Sequence, residues 1–157
     1  MIQIVPSGAK RFTKMQFRKR DLKYFNRALS LAHTSTYGVK NIKIGATVVD
    51  KRGNTYDGCN SKKSNPLQYH HNKRRFGAEI HDGITHALHA EMAAIKVAIN
   101  KRVDLTGASL YVARVGGRDS LHGMCRPCAA CMCAAVAVGI TDIFYTTECG
   151  YAHERIQ

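Results

Sequence analysis

His89, Cys128 and Cys131 are the side chains of this sequence whose types and spacing could hold a working metal, and Glu91 stands two residues beyond the first of them. A catalytic zinc takes three protein ligands and leaves a fourth position open to water. One imidazole and the two thiols of Pro127-Cys128-Ala129-Ala130-Cys131 meet that requirement. A fourth protein ligand would close the open position, so the Glu91 carboxylate of His89-Ala90-Glu91 is read as the group that moves protons. The chemistry that follows is a hydrolysis, with water as nucleophile and a carboxylate carrying its protons to the leaving group. A bare CxxC would say little; behind an H-x-E it says much more.

Both motifs need rigid elements that bring them to one point. The sequence predicts a helix from about His89 to Asn100-Lys101 that carries Met92, Ile95, Val97 and Ile99 toward a sheet. A second starts at Pro127, tolerated in a first turn, and stops at Gly139. Two helix N-termini aimed at one place would favour thiolates through their positive dipole ends. Strands are predicted over 43–50 and 54–59, joined by a hairpin turn containing Gly53, then around Ser109-Leu110-Tyr111-Val112-Ala113 and over 142–146. Upstream, Leu22, Phe25, Ala28, Leu29 and Ala32 repeat at the helical period from an Asp21 cap to about Thr34. The polar, histidine-rich stretch from Ser61 to Leu88 reads as a long loop, functional or mobile.

This alternation predicts a three-layer α/β/α sandwich around a mixed sheet of four to five strands. Only ten residues follow Thr147, so either a short fifth strand closes the sheet or its edge is left for a partner. Residues 1–20 read as a basic arm, loosely structured or packed on a neighbouring subunit, and 21–157 as one domain.

With these motifs in this order, the chain resembles the zinc-dependent cytidine/deoxycytidylate deaminase superfamily, which also includes tRNA adenosine deaminases and polynucleotide cytosine deaminases. Ile44-Gly45-Ala46-Thr47-Val48-Val49 is similar to that family's first strand, Gly58-Cys59-Asn60 to the end of its second, and the segment from Gly139 to Tyr145 to its fourth. The resemblance implies Zn2+ on His89, Cys128 and Cys131, with Glu91 as acid and base. It also implies that Asn60 meets the substrate's sugar hydroxyl and that the backbone of Ala90 holds the edge of the base. Asn60-Ser61-Lys62-Lys63-Ser64-Asn65-Pro66 looks like a loop of phage and bacterial deoxycytidylate deaminase relatives, though it departs from the N-G-x-P form of other members. Lys63, Arg74 and Arg75 are the candidate phosphate contacts.

The function expected is conversion of a cytosine nucleotide, foremost dCMP, to the uracil nucleotide with release of ammonia. The alternative is a deaminase acting on a base within single-stranded DNA or RNA. A nucleic-acid-binding module with a structural zinc is disfavoured by Glu91 and by the count of three well-spaced ligands. A second zinc among Cys59, His70, His71, His81 and His86 finds no paired spacing to support it, and Cys125 and Cys133 fall outside the ligand spacing.

A formal charge of +13 is more than such an enzyme requires. The excess is clustered at Lys10, Arg11, Lys14, Arg18, Lys19, Arg20, Lys23 and Arg27, and again at Lys62, Lys63, Lys73, Arg74 and Arg75. Such clusters attract phosphate, which makes nucleic acid a possible partner beside the nucleotide substrate. No apolar stretch has the length to cross a bilayer. Six cysteines without an apolar leader point to a reducing compartment, hence a soluble cytoplasmic protein, and a homo-oligomer is expected from the open sheet edge and the small-residue helix of 129–138.

Overall fold

A computed structural model describes residues 9–12, 18–35, 42–76, 87–115, 123–148 and 150–157, with the backbone alone at 10–12, 64 and 73–76. The chain runs β1 (Lys10–Phe12), α1 (Lys19–Thr34), β2 (Ile44–Val49), β3 (Thr55–Cys59), β4 (Ser61–Ser64), α2 (Pro66–Phe76), β5 (Ala87–Leu88), α3 (Ala90–Asn100), β6 (Ser109–Arg114), α4 (Ala129–Val138), β7 (Asp142–Thr147) and β8 (Gly150–Arg155). Five strands and a three-residue sixth form one mixed sheet, in the order β1-β8-β7-β6-β2-β3. β6 and β7 run parallel and the other neighbours antiparallel.

Alternate side chains of a strand point to opposite faces, and here both faces are covered. Tyr24 and Phe25 of α1 pack with Val49, Tyr111, Phe144 and Tyr151 on one side. On the other, Met92, Ala94 and Ile95 of α3 and Ala134 and Ala135 of α4 pack with Val48, Leu110, Val112, Ile143 and Tyr145. This is the predicted α/β/α sandwich. The parallel stacking of Tyr111 on Phe144, with centroids 4.5 Å apart, ties the two central strands together beneath α1.

The structure corrects several expectations. α1 begins two residues earlier than predicted, and Asp21 is not its cap: it is buried in the first turn, accepting hydrogen bonds from Arg18 Nε at 2.9 Å and from the Tyr111 hydroxyl at 2.7 Å. Ile99 of α3 turns outward at 43% exposure. Pro127 lies outside α4, whose N-cap is Cys128. The supposed loop of 61–88 contains α2 and a small β4–β5 ladder. Of the two endings the sequence allowed, the further strand is the one found, β8 pairing with β7; the correction is to the basic arm, whose Lys10–Phe12 pairs with β8 in turn, so that part of it belongs to the sheet.

Candidate metal and active site

The site is built on two helix N-termini. His89 is the N-cap of α3 and Cys128 the N-cap of α4, which places Cys131 three residues into the α4 turn and Glu91 two residues into that of α3. The close approach of α3 to the sheet depends on Gly58 of β3, since a Cβ there would lie 2.5 Å from the Ala94 nitrogen and 2.7 Å from the Ala90 carbonyl oxygen. A side chain would push the start of α3, and with it His89 and Glu91, away from the strand.

His89 Nδ1 lies 3.5 Å from Cys128 Sγ and 3.4 Å from Cys131 Sγ, and all three candidate ligand atoms fall within 4.8 Å of one another. Zinc bonds of about 2.3 Å to sulfur and about 2.0–2.1 Å to nitrogen at tetrahedral angles require nitrogen–sulfur separations of about 3.5 Å. The donor set therefore fits Zn2+ through the Nδ1 atom. Among the described residues it is the one group of three or more such side chains placed to hold a metal.

The electrostatics agree with a cation site. The Cys131 thiol donates to Cys128 and, with the His89 ring and the Cys131 backbone amide, outweighs burial to hold the Cys128 thiol down at about 4. That same hydrogen bond, together with burial, keeps the Cys131 proton on. A dication would displace it, because thiolate is the ligating form. Burial pulls the His89 imidazole down, but the Cys128 thiolate and the Glu91 carboxylate more than compensate and leave it raised. Burial pushes the Glu91 carboxyl up, opposed by the neighbouring His89.

A cavity of about 540 Å³ opens over these residues, lined by His89, Ala90, Glu91 and Cys128 together with Asn60, Ile44, Arg114 and Arg126. Asn60 reaches it as a locked side chain. Its Oδ1 accepts from Ser35 Oγ at 2.6 Å and from the Ile44 amide at 3.1 Å, while its Nδ2 donates to the Ile42 carbonyl at 2.9 Å. A carboxamide nitrogen carries two hydrogens, so among the described residues one is left to meet a ligand. Lys63 does not join the group: it is exposed on β4 and does not line the cavity. Arg74 and Arg75 lie on α2 with their side chains outside the described residues, as are His81 and His86 altogether. Cys125 lines the cavity but stays a buried thiol, pushed up to about 12 by burial, and Cys133 is exposed.

Three polar residues here escaped the sequence reading. Gln68 of α2 is fully buried; its Oε1 accepts from the His89 amide at 3.1 Å and its Nε2 donates to Asn72 Oδ1 at 3.0 Å. Its only signal was the spacing of Gln68, His71 and Asn72, a helical stripe that is buried although polar. Arg114 and Arg126 reach the cavity from the end of β6 and from the approach to α4, and nothing local marks either.

The family description "cytidine and deoxycytidylate deaminase zinc-binding region" matches residues 18–147. No curated protein sequence matches the chain. Among solved structures, the fold is similar to cytidine deaminase from Burkholderia pseudomallei, with TM-score 0.60 and 19% identity over 86% of this chain and 91% of the other. It is also similar to dCMP deaminase from the cyanophage S-TIM5, with TM-score 0.55 and 19% identity over 83% of this chain and 84% of the other. The same phage enzyme in complex with dCMP and dUMP gives TM-score 0.50 and 22% identity over 82% and 83%.

Proposed function

The chain belongs to the cytidine and deoxycytidylate deaminase family and is a zinc-dependent hydrolytic deaminase, and within that chemistry we propose that its substrate is a cytosine nucleotide, foremost dCMP. The observation that carries the reading is the buried Glu91 carboxylate in the same cavity as a three-ligand metal set and the sugar-competent amide of Asn60.

His89, Cys128 and Cys131 hold the zinc, which when bound lowers the pKa of a coordinated water to about 7. The backbone of Ala90 lies where the edge of the base enters, and Asn60 offers its free amide hydrogen to the sugar. Glu91 accepts the protons of the attacking water in turn, giving one to the ring nitrogen N3 and one to the exocyclic amine. Oxygen replaces nitrogen at C4, the amine leaves as ammonia, and the ring is left as uracil. Burial of Glu91 suits this work, because a raised carboxyl pKa brings acid and base forms closer in energy at neutral pH.

The second reading, a base within single-stranded DNA or RNA, rests on the charge of +13 and on the basic N-terminal arm that could follow a strand. We further propose a homo-oligomer, for which Val136 of α4, 44% exposed, offers apolar surface. The direct test of substrate is mass spectrometry of dCMP, cytidine, guanine, adenosine and single-stranded oligonucleotides incubated with zinc-loaded protein. The mass change of an amine replaced by oxygen is expected on dCMP. Efficient reaction on oligonucleotides with none on dCMP would reverse the choice.

A further inference from the structure

Resting on the nucleotide reading, we infer that Arg114 is the residue that recognises the substrate's phosphate and so sets the preference for nucleotide over nucleoside. Of the candidates named from sequence, Lys63 is exposed on β4 and does not line the cavity, and the side chains of Arg74 and Arg75 lie outside the described residues. Two guanidinium groups do line it.

They differ in what already occupies them. Arg126 is committed: its Nε and Nη2 grip the two carboxylate oxygens of Glu154 at 2.8 and 3.0 Å, a bidentate pair that neutralises its charge. Among the described residues Arg114 makes no ion pair, and its guanidinium makes one long hydrogen bond, Nη1 to the Met124 carbonyl at 3.4 Å. The cavity also carries the Glu91 and Glu148 carboxylates, but among the described residues neither pairs with Arg114, so this half-buried cation is placed for an anionic ligand, and a guanidinium matches the geometry of phosphate oxygens.

The side chain is also held in place before any ligand arrives. Its stalk crosses Gly123 so closely that a Cβ there would sit 2.6 Å from Arg114 Cδ and 2.8 Å from Nε. The backbone beneath is pinned, with the Arg114 amide donating to Thr146 Oγ1 at 3.1 Å and the Gly123 amide to the Arg114 carbonyl at 3.3 Å. Preorganisation of this kind lowers the entropy lost on binding. At about 540 Å³ the cavity is also larger than a bare pyrimidine ring needs.

The test compares wild type with Arg114→Gln and Arg114→Lys, all loaded with zinc and checked for metal content. Calorimetry measures dUMP against deoxyuridine, and steady-state kinetics measures dCMP against deoxycytidine. Wild type is expected to favour the nucleotide, and Arg114→Gln to reduce that discrimination by about 100-fold, chiefly through KM for dCMP, as loss of a charge-assisted contact does. Arg114→Lys should recover part of it, since charge survives and the fork does not. Equal losses on nucleotide and nucleoside, or discrimination unchanged in Arg114→Gln, would overturn the inference. The readouts separate the two claims: Arg114-dependent binding of dUMP without turnover of any cytosine compound would sink the proposed reaction and keep the phosphate role. Turnover of dCMP with discrimination indifferent to Arg114 would do the reverse.

Discussion

At the scale of single residues, holding a metal and the proposed transfer of protons fall to different side chains. His89, Cys128 and Cys131 present one nitrogen and two sulfurs at tetrahedral spacing, while Glu91 lies 5% exposed beside them. Cys128→Ala or Cys131→Ala leaves two ligands and is expected to abolish zinc retention and activity together, as read by metal analysis of dialysed protein. Glu91→Gln should keep the zinc and lose about 100-fold or more of kcat, because a carboxamide cannot accept a proton. Near-normal turnover in that variant would refute the proton-transfer role. Loss of zinc would make Glu91 a ligand instead.

At the scale of elements, two contacts hold the cavity's parts together. Gln68 fastens α2 to the first residue of the H-x-E motif through the His89 amide. Gln68→Leu keeps the volume but strands that amide in a buried place, and interactions that orient metal ligands are worth about 10–100-fold in affinity. We expect zinc to bind that much more weakly in a chelator competition, with the circular dichroism of the fold unchanged; equal affinity would show that the packing of α3 alone suffices. The second contact, Arg126 to Glu154, joins the approach to α4 to strand β8. Burial raises the Glu154 carboxyl, but the Arg126 guanidinium, with the Tyr145 phenol nearby, overcomes it and holds the group below the ordinary carboxylate range. A carboxylate depressed in the folded state contributes stability that is complete above its unfolded value, about 4.3, and is lost as pH falls through the folded value. Glu154→Gln should therefore be less stable than wild type by roughly 1–2 kcal/mol near neutrality, between exposed and buried pairs. In urea titrations that gap should close below about pH 4, and a gap undiminished at about pH 3 would assign the cost to packing rather than charge.

At the scale of the whole molecule, the charge of +13 and the cavity over the metal site pull toward different partners. A strand neutralised by many cations releases counterions, with an affinity slope of about 0.7 per phosphate contact on a log-log plot. A mononucleotide held by one guanidinium has almost none of that dependence, so KM for dCMP should change only modestly between low and physiological salt. A steep decline, shared by oligonucleotides that are turned over, would favour the polynucleotide reading. No helix among the described residues is long and apolar enough to cross a membrane. The homo-oligomer is checked by light scattering at micromolar protein, where a fully active monomer would end that expectation.

The His-Cys-Cys cluster, the glutamate beside it and the layered alternation of strands and helices were legible in the sequence because each is local. An H-x-E at a helix start and a CxxC at another carry their spacing with them, and helices as regular as α3 and α4 betray themselves by composition and by stops such as Gly139, at φ +95°. The same reading lost α2, whose buried stripe of Gln68, His71 and Asn72 is polar and so shows no apolar period. It lost β1, a basic tripeptide that becomes a strand only because β8 presents an edge to it. It could not tell Arg114 from Lys63, since both are cations, and only strand register and the close pass over Gly123 turn Arg114 to the cavity while Lys63 stays in water. Residue types and short spacings settle which chemistry is possible. Which side chains share the cavity is decided by contacts between residues far apart in the chain, and those exist only once the sheet has paired and the helices have packed.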